Sequence, residues 1–466
     1  MSRLELLGSL VGASPKRRRL IVALSLYVLA LGVFMLTASR QVLTTHTSYN
    51  HFALLAKGWL EGRLSLDGAP PAYAHGNDFA NYEGHWYVAF PPFPAVVLLP
   101  FVAIASDVES VRDGQVFLWF SALAPVLIYL LLERIAELGF STRSWLQNAA
   151  LGLLACFGTV FYFSAVQGTV WYAAHVIGVC LAASYALCAL GARAPLWAGL
   201  WLGLGSLTRT PLLFAVPLFV MESLRVSLGD ASFEAPHAVL GGLRAFASRI
   251  DYRRLLVRWA LFALPVAACL GFTFWYNHAR FDDPFENGYR FLTVAWQGRM
   301  EKWGLFDYHY LSRNLGVLLS MLPWSGGDAA PFRINVHGLA LWFTSPIYLW
   351  LLWPKLELAP DAPEAPLFDR RWLHVGLWLT VATVALPTLF YQNTGWSQFG
   401  YRFSNDYVVF LFALLASGGR RLGRWFWLVA ALGVAINAFG AFTFDRPRYQ
   451  RFYYVDPSQA KFYERD

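Results

Sequence analysis

Charged residues are scarce in this sequence. Of its 466 residues, 14% are charged and 57% are hydrophobic, whereas soluble domains contain about a quarter charged residues. The apolar residues also fall in blocks of about 18 or more, which is the length of a membrane-spanning helix. The shortage of charge therefore excludes an ordinary soluble domain, and the sequence predicts an all-α polytopic membrane protein.

Cysteines are few, and the common catalytic motifs are missing. All four cysteines lie inside apolar runs, where they are expected to be small buried hydrophobes rather than disulfides or metal ligands. They are Cys156, Cys180, Cys188 and Cys269. The chain contains no Gly-rich phosphate loop before Lys-Ser/Thr, no HExxH and no GxSxG. No internal repeat is evident, which weakens an interpretation as an inverted-repeat transporter.

The apolar runs predict eleven spans. The run that follows KRRR at 16–19 is too long for a cleaved signal and indicates an uncleaved first span. The segment 90–105 is also apolar, but its four prolines predict a half-buried interfacial segment instead of a span. The expected spans are 20–37, 114–133, 145–164, 170–190, 194–207, 210–224, 257–277, 338–354, 373–391, 405–417 and 425–444.

The basic residues support this topology. The net charge of +8 comes largely from Arg and Lys at the ends of spans, where they fix orientation and do not indicate nucleic-acid binding. Counting 90–105 as a span would place the later clusters outside. With residues 1–19 cytoplasmic, every cytoplasmic connection is basic, through Arg134, Arg143, Arg193, Arg225, Arg244, Arg249, Arg253, Arg254, Arg258, Lys355, Arg370, Arg371, Arg420, Arg421 and Arg424.

The same topology places three loops of the transmembrane domain, 20–444, outside the cell. They are 38–113, 278–337 and 392–404, and the tail 445–466 also lies outside. Chemistry is therefore expected on the extracytoplasmic side, away from cytosolic nucleotides. The first loop opens with NHFALLAKGWLEGRL (50–64), whose apolar face predicts an amphipathic helix in the interface.

The first outer loop also carries two candidate carboxylates, Asp78 and Glu83, near His75 and His85. One interpretation is a solvated loop with aromatic anchors. The other is a carboxylate that acts as general base on an acceptor hydroxyl. Residues 82–84, Tyr-Glu-Gly, suit a turn because glycine tolerates positive φ.

Four stretches of the chain resemble the GT-C superfamily of integral membrane glycosyltransferases. They are the interfacial helix ending LLAKGWLEGRL, the segment NYEGHWYVAFPPFPAVVLLPF that follows an Asp, AGLWLGLGSLTRTPLLFAVPLFV (198–220), and YNHARFDDPFENGY (276–289). Together these four stretches touch most of the chain from 20 to 290. The resemblance is to the group that contains dolichyl-phosphate-mannose mannosyltransferases and aminoarabinose transferases.

The resemblance implies a GT-C-like bundle of about 10–12 transmembrane helices with two large extracytoplasmic loops. It also implies a polyprenyl-phosphate-linked sugar donor, an extracytoplasmic acceptor, and a place in the bacterial inner membrane. GT-C enzymes usually carry Asp or Glu just after the first span, but TASRQVLTTHTSYNHF (37–52) contains no acid. Asp78, His51 and Glu83 therefore remain alternatives for the catalytic base.

Charged and polar groups beside spans are candidate substrate contacts, because charge in a membrane segment is costly. Arg209, in SLTRTP, either snorkels to the interface or contacts the carrier phosphate. His175, at the outer end of a span, either hydrogen-bonds within the bundle or faces the same cavity. Tyr289 closes a polar stretch in which Asp282-Asp283 either binds a divalent cation or forms a turn. No metal ligand is assigned.

The stretch NTGWSQFGYRF (393–403) is polar although apolar runs flank it. It is either an aromatic interfacial hairpin or the wall of a donor site formed by Trp396, Gln398 and Arg402. Arg402 lies on the side where the positive-inside pattern does not require an arginine.

The leading hypothesis is an inverting glycosyltransferase, since one direct displacement inverts the anomeric carbon. A lipid-linked glycan flippase would need polar residues along a path through the bilayer, whereas the polar residues here gather on one side. A non-catalytic envelope-assembly protein stays open because the early acid is missing.

Overall fold

The computed structural model describes residues 14–228, 247–294, 296–325, 330–356 and 367–453. Parts of four sequence predictions fall outside these ranges: residues 1–13, Arg244, residues 295 and 326–329 of the second outer loop, and residues 454–466 of the tail. Within these ranges, six helices are long and apolar enough to cross a membrane. The described chain is therefore an all-α polytopic membrane protein, as its composition predicts.

The described chain contains α-helices, two short strand pairs and several 3-10 helices. The α-helices are α1 (Pro15–Thr37), α2 (Arg40–Thr44), α3 (His51–Leu60), α4 (Phe93–Ile104), α5 (Asp113–Glu137), α6 (Trp145–Phe157), α7 (Phe161–Ala165), α8 (Val170–Ala189), α9 (Pro195–Ser206), α10 (Val216–Arg225), α11 (Tyr252–Phe281), α12 (Gln297–Trp303), α13 (Leu311–Ser320), α14 (Leu341–Thr344), α15 (Leu367–Leu389), α16 (Val408–Ser417) and α17 (Arg424–Thr443). Two short antiparallel pairs are formed by β1 (Phe79–Tyr82) with β2 (His85–Val88) and by β3 (Trp324–Ser325) with β4 (Phe332–Arg333). Short 3-10 helices that matter below are Thr210–Ala215, Pro346–Leu352 and Arg402–Asp406.

One end of the helical bundle gathers the basic connectors and is called the basic end. Arg143, between α5 and α6, donates to the carbonyl of Leu415 at the end of α16, at 3.3 Å. Arg225, at the end of α10, pairs with Asp369 at the start of α15, at 3.0 Å. These contacts bring together connectors that the sequence analysis assigns to the cytoplasm.

The opposite end, called the loop end, gathers the predicted outer loops. The amide of Val170, which begins α8, donates to the carbonyl of Tyr49 at 3.2 Å. Arg446, after α17, donates to the carbonyl of Thr37 at the end of α1, at 2.9 Å. The two ends thus separate the loops from the basic connectors.

Six of the eleven predicted spans coincide with described helices that are long and apolar enough to cross a membrane, and the other five are shorter or irregular segments. The segment 339–355 is an unusual one. Leu339 pairs with Gly400 at the loop end, and the amide of Lys355 donates to the carbonyl of Gly418 at the basic end, at 2.7 Å. Between them α14 stops at Ser345, which leaves helical geometry before Pro346. A 3-10 helix then continues, and its rise of about 2 Å per residue helps so short a segment cross.

The proline-rich segment forms α4, which does not run to the basic end. The amide of Phe93 donates to the carbonyl of Leu207 at the loop end, and Asp113, soon after α4, accepts from the amide of Thr47 at 2.8 Å. The prolines were expected to break this segment, but this is wrong for Pro100, which lies inside α4. The predicted interfacial helix forms α3, in which Leu54 is buried together with Phe52 and Leu55 while Leu60 is exposed.

Candidate functional site

Arg402 is held by the turn that precedes it. Its backbone amide donates to Gln398 Oε1 at 3.0 Å. The Gln398 side-chain nitrogen donates to the carbonyls of His337 and Thr394, both at 2.8 Å. Gln398 is buried, so its side chain fixes the backbone that carries Arg402.

The guanidinium of Arg402 is buried without a described carboxylate partner. The side chain is 7% exposed and lies over the Tyr172 ring at 5.0 Å. Its Nη1 donates to the carbonyl of Trp396 at 3.5 Å, and its Nε has no hydrogen-bond partner among the described residues. Burial lowers the pKa of Arg402, as expected for a cation that lacks a counter-ion.

Arg209 lies near Arg402 but is paired. Its Nε and Nη2 donate to the two carboxylate oxygens of Asp406 at 3.0 and 2.7 Å. Nδ1 of His175 lies 3.2 Å from the same carboxylate, and His175 and Asp406 are both buried. The arginine charge also helps to lower the pKa of Arg402. Asp406 therefore compensates one of the two neighbouring arginines.

Asp78 faces the same region from the first outer loop. Its backbone is left-handed, with φ of 60°, and its Oδ2 accepts from the Trp171 indole at 2.8 Å. Burial raises the pKa of the Asp78 carboxyl, and the Trp171 hydrogen bond and the Arg402 charge partly offset that rise. A half-buried carboxylate and a buried guanidinium thus share one site.

Two tyrosines complete this arrangement. Burial, followed by the charge of Asp78, raises the pKa of Tyr391 to about 12. Burial and the neighbouring Tyr391 phenol raise the pKa of Tyr289, and Asp78 adds to that effect. Both phenols are therefore protonated at neutral pH and can donate hydrogen bonds to an anion.

These contacts define a polar cluster at the loop end. It consists of Asp78, Trp171, Tyr172, His175, Arg209, Tyr289, Tyr391, Arg402 and Asp406. Five of these residues were candidates from sequence. Trp171, Tyr172, Tyr391 and Asp406 were not, although Trp171 and Tyr172 share a stretch with His175, and Asp406 follows Arg402 by four positions.

His51 borders the polar cluster and is fully enclosed. Its ring stacks on Phe79 at 4.1 Å and lies 6.3 Å from the Trp171 ring. Its Nε2 lies 2.9 Å from the carbonyl of Asn77. Burial lowers the pKa of His51 to about 4, so the ring is neutral at pH 7.

Glu83 lies apart from the cluster, exposed at the tip of the β1–β2 hairpin. Glu83 and Gly84 have φ of 50° and 79°, the backbone of a two-residue type I′ turn. Within the described residues no hydrogen bond or ion pair joins Glu83 to Asp78 or to either arginine. Trp396 contributes its backbone carbonyl to Arg402, while its ring packs edge-on against His337 at 5.1 Å.

The acids that end α11 form a turn. Asp282 is the left-handed residue after the helix and accepts from the Tyr82 hydroxyl at 3.2 Å. Asp283 accepts from the amide of Phe285 at 2.8 Å. In the parts of the chain that the structure describes, no three His, Cys, Asp or Glu residues lie close enough to hold a metal ion.

Comparisons with known proteins give one structural likeness to report. No family model and no curated protein matches the chain. The crystal structure of the apo Archaeoglobus fulgidus oligosaccharyltransferase is similar over 95% of this chain, with a TM-score of 0.48 and 13% sequence identity. This chain spans 57% of the length of that protein. The roles of individual residues are therefore inferred from the polar cluster.

Proposed function

We propose that the chain is a membrane glycosyltransferase that moves a sugar from a polyprenyl-phosphate donor to a hydroxyl of an extracytoplasmic acceptor. The observation that carries this proposal is Arg402, a buried arginine with no described carboxylate partner, beside the raised-pKa carboxylate Asp78. A phosphate matches the fork of N–H donors on a guanidinium. A carboxylate with a raised pKa is a better proton acceptor.

The donor phosphate is assigned to Arg402. It would act as the counter-ion and accept from the Nε, which has no hydrogen-bond partner among the described residues. Arg209 contributes less net charge, because Asp406 already neutralises it. The protonated phenols of Tyr289 and Tyr391 supply further donors on the Asp78 side.

Sugar transfer then needs one proton acceptor. Asp78 takes the proton of the acceptor hydroxyl, and that oxygen forms a new bond to the anomeric carbon. The bond between the anomeric carbon and the phosphate oxygen breaks, and its electron pair leaves with the polyprenyl phosphate. Arg402 stabilises the additional negative charge on the leaving phosphate. One displacement of this kind inverts the anomeric centre.

Asp78 is preferred as the base over the other two candidates. His51 is enclosed between aromatic rings and bonded to a backbone carbonyl. Glu83 lies exposed at the hairpin tip. The loop end is assigned to the extracytoplasmic side of a bacterial inner membrane, because the opposite end carries the arginine-rich connectors.

Release of polyprenyl phosphate by the purified full-length chain tests this proposal. A panel of fluorescent polyprenyl-phosphate sugars is supplied with candidate acceptors, and the lipid product is separated and measured. Asp78→Asn is expected to lower the rate by about a hundredfold or more. The matched control, Glu83→Gln, removes an exposed carboxylate from the same loop and should leave the rate unchanged.

Three outcomes would contradict the proposal. They are no release from any donor, equal rates for Asp78→Asn and the native chain, and movement of labelled lipid between leaflets without cleavage. The last outcome would indicate a flippase.

A further inference from the structure

Two adjacent residues at the start of α8 each contact one of the two groups to which the proposed reaction assigns a role. The Trp171 indole donates to Asp78 Oδ2 at 2.8 Å. The Arg402 guanidinium lies over the Tyr172 ring at 5.0 Å. Neighbouring Cα atoms of a chain are about 3.8 Å apart, so the proton acceptor and the phosphate ligand are held from almost the same point of the backbone.

Tyr172 also holds the turn that carries Arg402. Its hydroxyl donates to the carbonyl of Ser397 at 2.7 Å. Ser397 has a left-handed backbone, with φ of 55°, which is uncommon for a residue other than glycine. It directly precedes Gln398, whose side chain accepts from the Arg402 amide. Tyr172 therefore supports both the guanidinium and the backbone from which it extends.

Trp171 is fixed in turn by the first outer loop. Its ring lies 4.5 Å from the Tyr49 ring and 6.3 Å from the His51 ring. The amide of Val170, the preceding residue, donates to the carbonyl of Tyr49 at 3.2 Å. Ring contacts on one side and a backbone bond on the other give the indole N–H a defined direction toward Asp78.

The helix that carries both residues is firmly packed. Of its membrane-capable stretch, 83% is buried, the largest share among the six long helices of the described chain. His175, one turn after Trp171, also reaches from α8 to a charged group, with Nδ1 3.2 Å from Asp406 Oδ1. Because side chains in a close-packed interior have little room to move, α8 is a rigid support for the polar cluster.

We propose that the start of α8 sets the distance between the proton acceptor and the donor phosphate, with Trp171 as the positioning residue of Asp78 and Tyr172 as the positioning residue of Arg402. This inference rests on the proposed function, which assigns those two roles. A misplacement of about 1 Å can lower a rate about a hundredfold, so a common support for both groups affects transfer directly. Neither positioning residue takes part in bond making.

Trp171→Phe tests the support of Asp78, because it keeps an aromatic ring and removes the N–H. That hydrogen bond lowers the pKa of Asp78, so its loss raises the pKa, and the acid limb of the rate profile should move to higher pH. Above the limb kcat should fall about tenfold or more, while the donor KM stays unchanged. The titratable groups that interact with Asp78 are the same in both chains, namely Arg402, Tyr289 and Tyr391.

Tyr172→Phe tests the support of Arg402, because it keeps the ring and removes the hydroxyl. The turn at Ser397 then loses its bond to α8, and the donor KM should rise about tenfold. The acid limb should stay where it is in the native chain, since the bond from Trp171 to Asp78 is intact. Steady-state kinetics across the acid range measure both quantities.

The matched control is Tyr185→Phe in the same helix. The buried Tyr185 hydroxyl also donates to a backbone carbonyl, that of Ala215, at 2.7 Å, but it lies outside the polar cluster. This control should lower the thermal midpoint and leave KM and the acid limb unchanged. If Trp171→Phe or Tyr172→Phe behaves in the same way, that residue is structural and the proposal is overturned. If one of the two variants does not fold, the other decides by the same criterion.

Binding of polyprenyl phosphate separates a failure of this inference from a failure of the proposed function. A fluorescent polyprenyl phosphate is titrated into the purified full-length chain. Tyr172→Phe should raise its Kd about tenfold, and Trp171→Phe should leave it unchanged, whether or not the chain transfers sugar. Equal Kd values for Tyr172→Phe and the native chain overturn the inference. The expected difference in Kd without any release from a sugar donor supports the role of Tyr172 and overturns transfer alone.

Discussion

At the scale of single residues, Arg280 and Arg402 are both buried arginines, but the groups that they contact differ. Arg280 donates to the carbonyls of Tyr276 and Val88 and to the side-chain oxygen of Asn277, at 3.2, 2.9 and 3.0 Å. Arg402 contacts Tyr172 and one backbone carbonyl, at 3.5 Å, and its Nε has no described partner. A buried cation without a carboxylate counter-ion costs stability, so we expect Arg402 to contribute little to folding.

Arg402→Gln is therefore expected to weaken donor use without weakening the fold. The donor KM should rise about tenfold or more, since a charge-assisted contact is lost, while the thermal midpoint stays the same or rises. Steady-state kinetics and thermal unfolding measure the two effects. Arg280→Gln is the matched control and should lower stability by about 1–3 kcal/mol, because it leaves polar partners unsatisfied. An Arg402→Gln chain that unfolds earlier but keeps its donor KM would assign Arg402 to structure.

The pH dependence of transfer should report the Asp78 carboxyl. Transfer needs the ionised form, so the rate is full above the Asp78 pKa and falls as pH drops through it. Because burial raises that pKa, the fall should begin at a higher pH than for an ordinary carboxyl of 3.8. A rate profile measured across the acid range checks this. His51→Gln should leave the acid limb in place, and a limb that vanishes in that variant would reassign the base.

The β1–β2 hairpin is the element that carries Asp78, which immediately precedes β1. Its turn needs two left-handed residues, and Gly84 supplies one of them at φ of 79°. Gly84→Ala is expected to lower stability by about 1 kcal/mol and to lower transfer by disturbing Asp78. Thermal unfolding and the rate assay test both effects. If Glu83→Gln reduces transfer as much as Gly84→Ala, the hairpin tip itself takes part in the reaction.

A second element, the 3-10 helix Arg402–Asp406, is joined to α8 and to the end of α9 by the Asp406 carboxylate. Asp406→Asn leaves Arg209 uncompensated, and breaking a buried pair costs about 3–5 kcal/mol. Adding Arg209→Gln should recover part of this loss, which a double-mutant cycle in thermal unfolding measures. Strictly additive losses would show that the pair does not stabilise the element.

The helices and turns also show which features a hydrophobic sequence pattern can and cannot predict. Apolar runs located the six long membrane-capable helices of the described chain, because hydrophobic length is a property of each run alone. The break of the crossing at Ser345 and the end of α6 at Phe157 were not predicted, since apolar composition alone does not show where a helix is interrupted. The turn at Glu83 and Gly84 was predicted, because its cause is local.

The polar cluster was only partly predictable for the same reason. Arg209 and Arg402 were identified because an arginine beside an apolar run is conspicuous in any sequence. Asp406 was missed because its partner Arg209 is 197 positions away, and nothing local signals that pairing. Tyr391 was missed because tyrosine is common at membrane interfaces.

At the scale of the whole molecule, the arginine-rich connectors predict that the loop end lies outside the cytoplasm. Single cysteines test this, since the native Cys156, Cys180 and Cys269 are buried and Cys188 is half-buried. A membrane-impermeant maleimide should label Glu83→Cys in intact cells. It should label Arg421→Cys only after the membrane is opened. Labelling with the opposite pattern would reverse the orientation and place the polar cluster in the cytoplasm.

The residues of the polar cluster lie far apart in the sequence, and this distance determines when the cluster can form during synthesis. A nascent chain emerges from its N-terminus, so Asp78 and its partner Trp171 are synthesised well before Arg402 and Asp406. A ribosome-bound intermediate that ends after α15, at Leu389, therefore contains the carboxylate and lacks Arg402. The cluster is completed only when the segment Arg402–Asp406 has been made, and the contact that we propose between the donor phosphate and Arg402 cannot form in shorter nascent fragments.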